Sequence, residues 1–493
     1  MKILMISGEV SPYAKTGGLG EVMEALPKAL HRMGHDVRVF MPLYGNIDRE
    51  KFAFVPIGKP TNLKVDGKKS SISFSASILA EEVLIYFFES ERFFPHDRPI
   101  YDLYAGNLSY YAFNLSVFKL LETLDWVPDI IHVHDWHAAL VPNIIRYLPR
   151  KSRYKDIATV ETIHNSAFVA MEFQWDIAPE LQDDGKGPLT TDPTKIKQLN
   201  FLKRGLRNAD IITTVSEQYS RELLISPETS HGLSGLLNER RRNFFGVRNG
   251  VDYSQWNPMF DPKLPVNYDR DILHRKYDNK RALQHRLNLP VDDSVPVLGM
   301  NARITEQKGF SLIFKIIDKL MAQGVQLVVV GAGSEDYSDI LRAKMKQYPR
   351  QIAFRGNQAS VDELGTLVYA GSDIFLMPSL FEPCGLGQMV SLRYGTIPVV
   401  RRTGGLADTI FDYNPTNGTG NGFVFDDYTG TALHEAINRA LKLWTNSDRW
   451  QKLIRRAMAM SYSWEIPAKK YERLYRAAIK EHRGLPWSLP KKW

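Results

Sequence analysis

Arg303 and Lys308 stand in one short segment, Asn301-Ala302-Arg303-Ile304-Thr305-Glu306-Gln307-Lys308-Gly309, between an apolar run and a helical pattern. Two cations in one strand-to-helix loop can clamp a single diphosphate, because charge-assisted hydrogen bonds are worth about 1.5–3 kcal/mol each. Two independent exposed cations are the plainer alternative. Further along, Glu382-Pro383-Cys384-Gly385-Leu386-Gly387 follows the apolar run Ile374-Phe375-Leu376-Met377 and precedes a helical pattern over Met389 to Tyr394. Such a turn offers a carboxylate for sugar hydroxyls, glycines for close approach, and free amides at a helix start that suit an anion. The next strand, Ile397 to Val400, leads into a second turn of this kind, Thr403-Gly404-Gly405. Together these loops predict one ligand with both polyol and phosphate character.

The start of the chain carries an echo. Lys15-Thr16-Gly17-Gly18-Leu19-Gly20-Glu21 matches Arg402-Thr403-Gly404-Gly405-Leu406-Ala407-Asp408 in kind: cation, Thr, Gly, Gly, Leu, small residue, acid. Each follows a strand and opens a helix. Polar residues also gather at other strand ends: His132, His134, Asp135 and His137 after Ile130-Ile131, and His164-Asn165 after Ala158 to Ile163. Four histidines raise zinc as a reading, but there is no helical H-x-x-x-H and no cysteine pair, so sugar recognition is preferred. Asn249-Gly250 is either a bland turn or a ligand-contacting one.

These side chains need a scaffold that aims strand ends at a common ligand. A strand over Lys2 to Ile6, a helix over Leu19 to Met33 and a strand over Val37 to Met41 form a βαβ opening and predict a parallel sheet. The spacing is not G-x-G-x-x-G and no acid closes the second strand, which demotes a nicotinamide-dependent oxidoreductase. Residues 52–88 alternate as strands, Arg92 to Asn107 reads as a loop near the site, and residues 171–194 as an irregular insertion. Pro258 to Asp271 reads as an interdomain linker and hinge. After it, strand and helix alternate cleanly, with Gly331-Ala332-Gly333 closing the strand Gln326 to Val330. The expected division is an N-terminal domain over 1–260, a C-terminal domain over 261–461, and a return helix over about 462–493.

The chain has 493 residues, enough for two or three domains with full cores. A hydrophobic content of 44% and a charged content of 24% are those of a globular enzyme. The net charge of +8 comes with no long basic run or nucleic-acid motif, so no nucleic-acid partner is expected. Cys384 is the only cysteine, which rules out an intramolecular disulfide. Met1-Lys2 runs directly into an apolar strand and no apolar run reaches membrane length, so a cytoplasmic protein without a membrane partner is expected.

Taken jointly, Lys15-Thr-Gly-Gly-Leu, His134-Asp-Trp-His137, His164-Asn165, Asn249-Gly250, Arg303 with Lys308-Gly309, Glu382-Pro-Cys-Gly-Leu386 and Arg402-Thr-Gly-Gly-Leu406 resemble bacterial glycogen synthases and plant starch synthases over nearly the whole chain. The resemblance implies an α/β, GT-B fold: two Rossmann-like domains with parallel sheets facing across a deep cleft. It implies a retaining glucosyltransferase with ADP-glucose as donor and an α-1,4-glucan or malto-oligosaccharide as acceptor. Glu382, Arg303, Lys308, His164 and Asp135 would carry the transfer. Lys15, Gly17 and Gly18 would contact the donor diphosphate, with Arg303 and Lys308 opposite. Cys384, Gly385 and Leu386 would hold the donor glucose with Glu382, and His164 and Asn165 would contact it from the first domain. Asn249 and Gly331 would line the donor site, and Thr403, Gly404 and Gly405 its phosphate and ribose region. Glu9, Asp135 and Tyr101 would lie on the acceptor side. No metal or cofactor is implied, since cations take the metal's place; Asp269-Arg270-Asp271 has a D-x-D form but sits in a charged linker. Three departures stand out: Ser166-Ala167-Phe168-Val169 where many members have Ala-Tyr-Gln-Gly, Val390 where the wider pattern has a second glutamate, and a short loop over His96 to Tyr101.

Overall fold

The computed structural model describes residues 1–489 apart from 81, 99, 102–105 and 172–181. Parts of the loop expected over 92–107 and of the insertion expected over 171–194 therefore lie outside the described residues. The chain divides into two compact units, Met1–Gly250 with Trp464–Trp493, and Val251–Ser463.

The first unit is built on a nine-stranded sheet with strands β1 (Lys2–Ile6), β2 (Asp36–Pro42), β3 (Val55–Val65), β4 (Lys68–Leu79), β5 (Val83–Glu89), β6 (Ile130–His134), β7 (Ala158–Ile163), β8 (Ile211–Thr214) and β9 (Phe244–Gly246). Their order is β3-β4-β5-β2-β1-β6-β7-β8-β9. Pairings from β5 to β9 are parallel; β3–β4 and β4–β5 are antiparallel. Strands β1, β6 and β7 are almost wholly buried, as a sheet covered on both faces requires. The C-terminal helix Glu465–His482 belongs to this unit, and its Tyr471, Leu474, Tyr475 and Ala478 are fully buried in the core. Strand β9 ends at Gly246, and 247–252 is irregular.

The stretch 193–208 is not one helix. A short turn over Pro193–Ile196 precedes the helix Phe201–Asn208, which Asn200 caps by accepting from the Lys203 amide. The described part of the insertion is held to that helix by a buried pair. The Arg204 guanidinium donates to both Asp183 carboxylate oxygens at 2.8 Å, and to Gly187 O at 3.2 Å.

The second unit holds β10 (Val297–Asn301), β11 (Gln326–Val330), β12 (Ile352–Arg355), β13 (Ile374–Met377), β14 (Ile397–Arg401) and β15 (Phe423–Phe425). All are parallel, in the order β12-β11-β10-β13-β14-β15. The order in which strands are added reverses between β10 and β13, which opens a crevice at their C-terminal ends. In the first unit the same reversal falls between β1 and β6.

The segment Pro258 to Asp271 is not a free linker. Tyr268 is fully buried and donates to Tyr394 O at 2.7 Å, while the Tyr394 hydroxyl donates to Asp261 Oδ2 at 2.6 Å. Two buried tyrosines with satisfied hydroxyls fasten this stretch to the second unit, so the boundary expected at 260/261 lies inside it. Asp269 accepts from the Asp271 and Ile272 amides, which makes the D-x-D a turn device.

Candidate functional site

In the second unit, the loops after β10 and β13 meet at the crevice. Gly309, at φ 78°, sits so close that a Cβ there would lie 2.0 Å from Pro378 O. The Leu380 amide donates to Gln307 O at 2.9 Å. That approach lets Lys308 Nζ reach Glu382 Oε2 at 2.6 Å, and Ser379 Oγ donates to the same oxygen at 3.0 Å. Glu382 is buried, Lys308 half-buried, and Arg303 exposed in the same loop. Gly331 closes β11 against this loop: a Cβ would lie 1.8 Å from Ala302 O.

The loops after β13 and β14 are also knit backbone to backbone. The Gly405 amide donates to Glu382 O at 3.1 Å, and Cβ atoms at Gly404 and Gly405 would fall 1.9 Å from Glu382 O and 2.0 Å from Cys384 O. Gly385 takes φ 69°. Gln388, which sequence reasoning missed, holds this arrangement. Fully buried, its Nε2 donates to Cys384 O at 3.1 Å, Gly385 O at 2.9 Å and Thr409 Oγ1 at 3.1 Å. Its place in the first turn of the helix that the Cys384–Leu386 loop opens was the available signal. Thr403, Gly404, Gly405, Cys384, Gly385, Leu386 and Gly331 thus stand around the Lys308–Glu382 pair or in loops bonded to it.

In the first unit, the loops after β1, β6 and β7 form a second cluster. Asp135 takes φ 57°, and its Oδ1 accepts from the His164 amide at 2.6 Å and the Asn165 amide at 3.3 Å. His134 Nδ1 lies 2.9 Å from His164 Nε2, while His132 Nδ1 lies 2.8 Å from the Tyr475 hydroxyl of the C-terminal helix. Burial holds His137 and His164 down to about 3, and His132 and His134 well below the usual histidine range, so the cluster is neutral. Burial pushes the Asp135 carboxyl up to about 8, against the two backbone donors. Among the described residues no group of three or more His, Cys, Asp or Glu is arranged to hold a metal ion.

Glu9 and the Lys15 turn lie at the same end of this sheet. The Glu9 carboxylate is occupied by Thr16, Gly17 and Tyr101, and Lys15 Nζ lies 2.5 Å from Glu21 Oε1. Gly18 is exposed. Asn249 is buried with its Oδ1 unpartnered among the described residues, in the loop after β9. Ser166, one of the departures, is fully buried and bonded to the Tyr219 hydroxyl at 2.9 Å and to Thr229 O at 2.7 Å, while Phe168 stands exposed.

The comparisons accord with this geometry. Residues 2–239 match the family model described as starch synthase catalytic domain, and residues 284–457 that of glycosyl transferases group 1. The glycogen synthase of Geotalea daltonii is 39% identical, over 97% of this chain and 99% of that protein. The chain belongs to the glycogen and starch synthase family. Glycogen synthase 2 of Geobacter sulfurreducens, another family member, is 40% identical over 98% of this chain and its own full length. The catalytic domain of starch synthase IV from Arabidopsis thaliana, solved bound to ADP and acarbose, superposes with a TM-score of 0.86 at 29% identity, covering 97% of this chain and 99% of that one. Sucrose-phosphate synthase from Thermosynechococcus elongatus shares the fold at a TM-score of 0.60 and 18% identity. The expected GT-B class of fold is therefore the one adopted. Among the described residues no helix is long and apolar enough to cross a membrane.

One buried acid lies close to this family site without belonging to it. Glu161 on β7 is fully buried, and neither carboxylate oxygen has a partner among the described residues. It fits because residue 205 is glycine; a Cβ there would lie 2.5 Å from Glu161 Oε2. Burial pushes its pKa well above the usual carboxylate range, with the Asp135 charge adding to the effect. The folded chain then holds a proton that the unfolded chain releases above its ordinary value of 4.5, so stability falls as pH rises from there toward the folded value. Glu161→Gln removes this term. Its melting temperature relative to the unchanged protein should climb as pH rises above the ordinary carboxylate value; a pH-independent difference would refute the assignment.

Proposed function

We propose that this protein extends α-1,4-glucan chains by transferring glucosyl units from ADP-glucose, releasing ADP with retention at the anomeric carbon. The observation that carries the reading is the Lys308–Glu382 contact at the crevice of the second sheet, flanked by two glycine turns. A cation beside a carboxylate is what a sugar bound to a diphosphate requires. The similarity to starch synthase IV, whose catalytic domain binds ADP and acarbose, supports the same donor and acceptor classes.

In this reading Arg303 and Lys308 gather the charge that grows on the departing diphosphate. Glu382, with the Cys384, Gly385 and Leu386 backbone, holds the donor glucose; Gly331, Thr403, Gly404 and Gly405 line the nucleotide side. The first unit's Lys15-Thr16-Gly17-Gly18 turn serves the diphosphate, and Asn249 the donor. His164 and Asn165 contact glucose hydroxyls. A neutral His164 can do so without adding positive charge near the oxocarbenium-like carbon. Asp135 and Tyr101 face the acceptor. The bond from glucose C1 to the diphosphate oxygen breaks, and a bond from C1 to O4 of the terminal glucan residue forms on the same face. The O4 proton passes to the leaving phosphate oxygen. Glu382 is not a nucleophile here, and the cations take the role a metal would otherwise fill.

The test is nucleotide release from ADP-glucose and UDP-glucose, each with and without glycogen, in the presence of a chelator. Glycogen-dependent ADP release is the expected result. Release only from UDP-glucose would change the donor, and silence with every pair would leave a glucan-binding protein.

A further inference from the structure

We propose that Glu9 is a positioning residue for the donor, its carboxylate holding the Lys15-Thr16-Gly17 turn in the shape that receives a nucleoside diphosphate. This rests on the reading that the turn serves the donor diphosphate. The Glu9 side chain is 4% exposed and closes on four donors. Its Oε2 accepts from the Thr16 amide at 2.8 Å and the Gly17 amide at 3.1 Å. Its Oε1 accepts from the Thr16 hydroxyl and the Tyr101 hydroxyl, both at 2.6 Å. A carboxylate has about four acceptor positions, so this one is full. An acceptor sugar would have to displace a donor to reach it.

The anchor is itself rigid. Glu9 stands three residues past the end of β1, and Ser7 Oγ both accepts from its amide at 3.1 Å and donates to its carbonyl at 2.8 Å. The carboxylate thus ties the far end of its own loop, over residues 10–17, to the end of a buried strand. Lys15 is steadied from the other side by Glu21 on the following helix, Gly18–Arg32. A negative charge beside an anion site weakens anion binding by repulsion, so its gain must come from ordering the turn. The donors also sort by oxygen. Two amides, which only donate, face Oε2, whereas two hydroxyls, which can reverse and accept, face Oε1. A glutamine can therefore keep all four contacts, its oxygen toward the amides and its NH₂ toward the hydroxyls.

The experiment is ADP titration by calorimetry on the full chain, with steady-state kinetics in ADP-glucose and in glycogen. Glu9→Ala should raise the ADP Kd and the ADP-glucose KM about tenfold or more, and the glycogen KM by less than about twofold. Glu9→Gln should bind ADP nearly as the unchanged protein does. Thr16→Val, at an exposed position, should fall between. Unchanged ADP affinity in both Glu9→Ala and Thr16→Val, or a rise confined to the glycogen KM, would make Glu9 an acceptor ligand and overturn the proposal. So would a Glu9→Gln variant as impaired as Glu9→Ala, since only the charge would then matter. Failure of the unchanged protein to bind ADP would instead overturn the donor reading, and this one with it.

Discussion

Lys308→Ala is expected to lower kcat by about 10²–10³ while the protein stays folded. The side chain leaves the short turn over Glu306–Lys308 and ends 2.6 Å from Glu382, at 16% exposure. Water around it is restricted, so in the proposed reading its charge would act on a leaving diphosphate at a lower effective dielectric than in bulk. On that reading its loss removes one preorganised donor from the place where charge grows in the transition state. The structural cost is smaller, since Ser379 still donates to the carboxylate left behind and the Gln307–Leu380 backbone bond still holds the two loops. Lys308→Arg should recover part of the rate, because it restores the charge without the point geometry of an ammonium. The measurement is single-turnover ADP release beside a thermal melt. An unchanged rate, or a rate lost only in step with the melting temperature, would remove Lys308 from the chemistry.

Arg204→Ala should cause the largest loss of stability, about 3–5 kcal/mol, by stranding a buried carboxylate. Arg204 and Asp183 are 7% and 6% exposed, joined by two parallel 2.8 Å bonds. Asp183 also accepts from the Asn200 amide at 3.0 Å, the residue that caps the helix Phe201–Asn208. Removal of the guanidinium leaves Asp183 charged in a poor dielectric and loosens the cap. The double variant Arg204→Met with Asp183→Leu should be far less destabilised than Arg204→Ala, because no orphaned charge remains. Denaturant melts of the three proteins decide it; equal losses for the single and double variants would show that packing, and not the stranded charge, sets the cost.

Periodicity and turn chemistry made most of the elements legible. The helix Glu465–His482 and the second unit's parallel strands lie within a few residues of their expected places, because each has a strong apolar pattern bounded by glycine, proline or capping residues. The linker reading failed for a tertiary reason. Pro258 to Asp271 has a linker's composition, yet Tyr268 buries itself and turns the stretch into part of a core. Composition cannot reveal which tyrosine finds an acceptor far away in sequence. Asn200, which breaks the stretch 193–208 by capping the helix after it, looks like an ordinary polar position in sequence.

Local order thus dictated which loops carry chemistry: a cation, a carboxylate or a pair of glycines just past a strand is a short-range statement, readable within ten or so residues. Which of those groups touch was decided by tertiary structure. Lys308 and Glu382 are 74 positions apart, and meet only because β10 and β13 pair and Gly309 lets their loops close. The Glu9 carboxylate, a residue expected on the acceptor side, is filled by Tyr101, 92 positions away, and by its own loop. Strand order and backbone clearance are properties of the whole packed sheet, and no window of residues contains them.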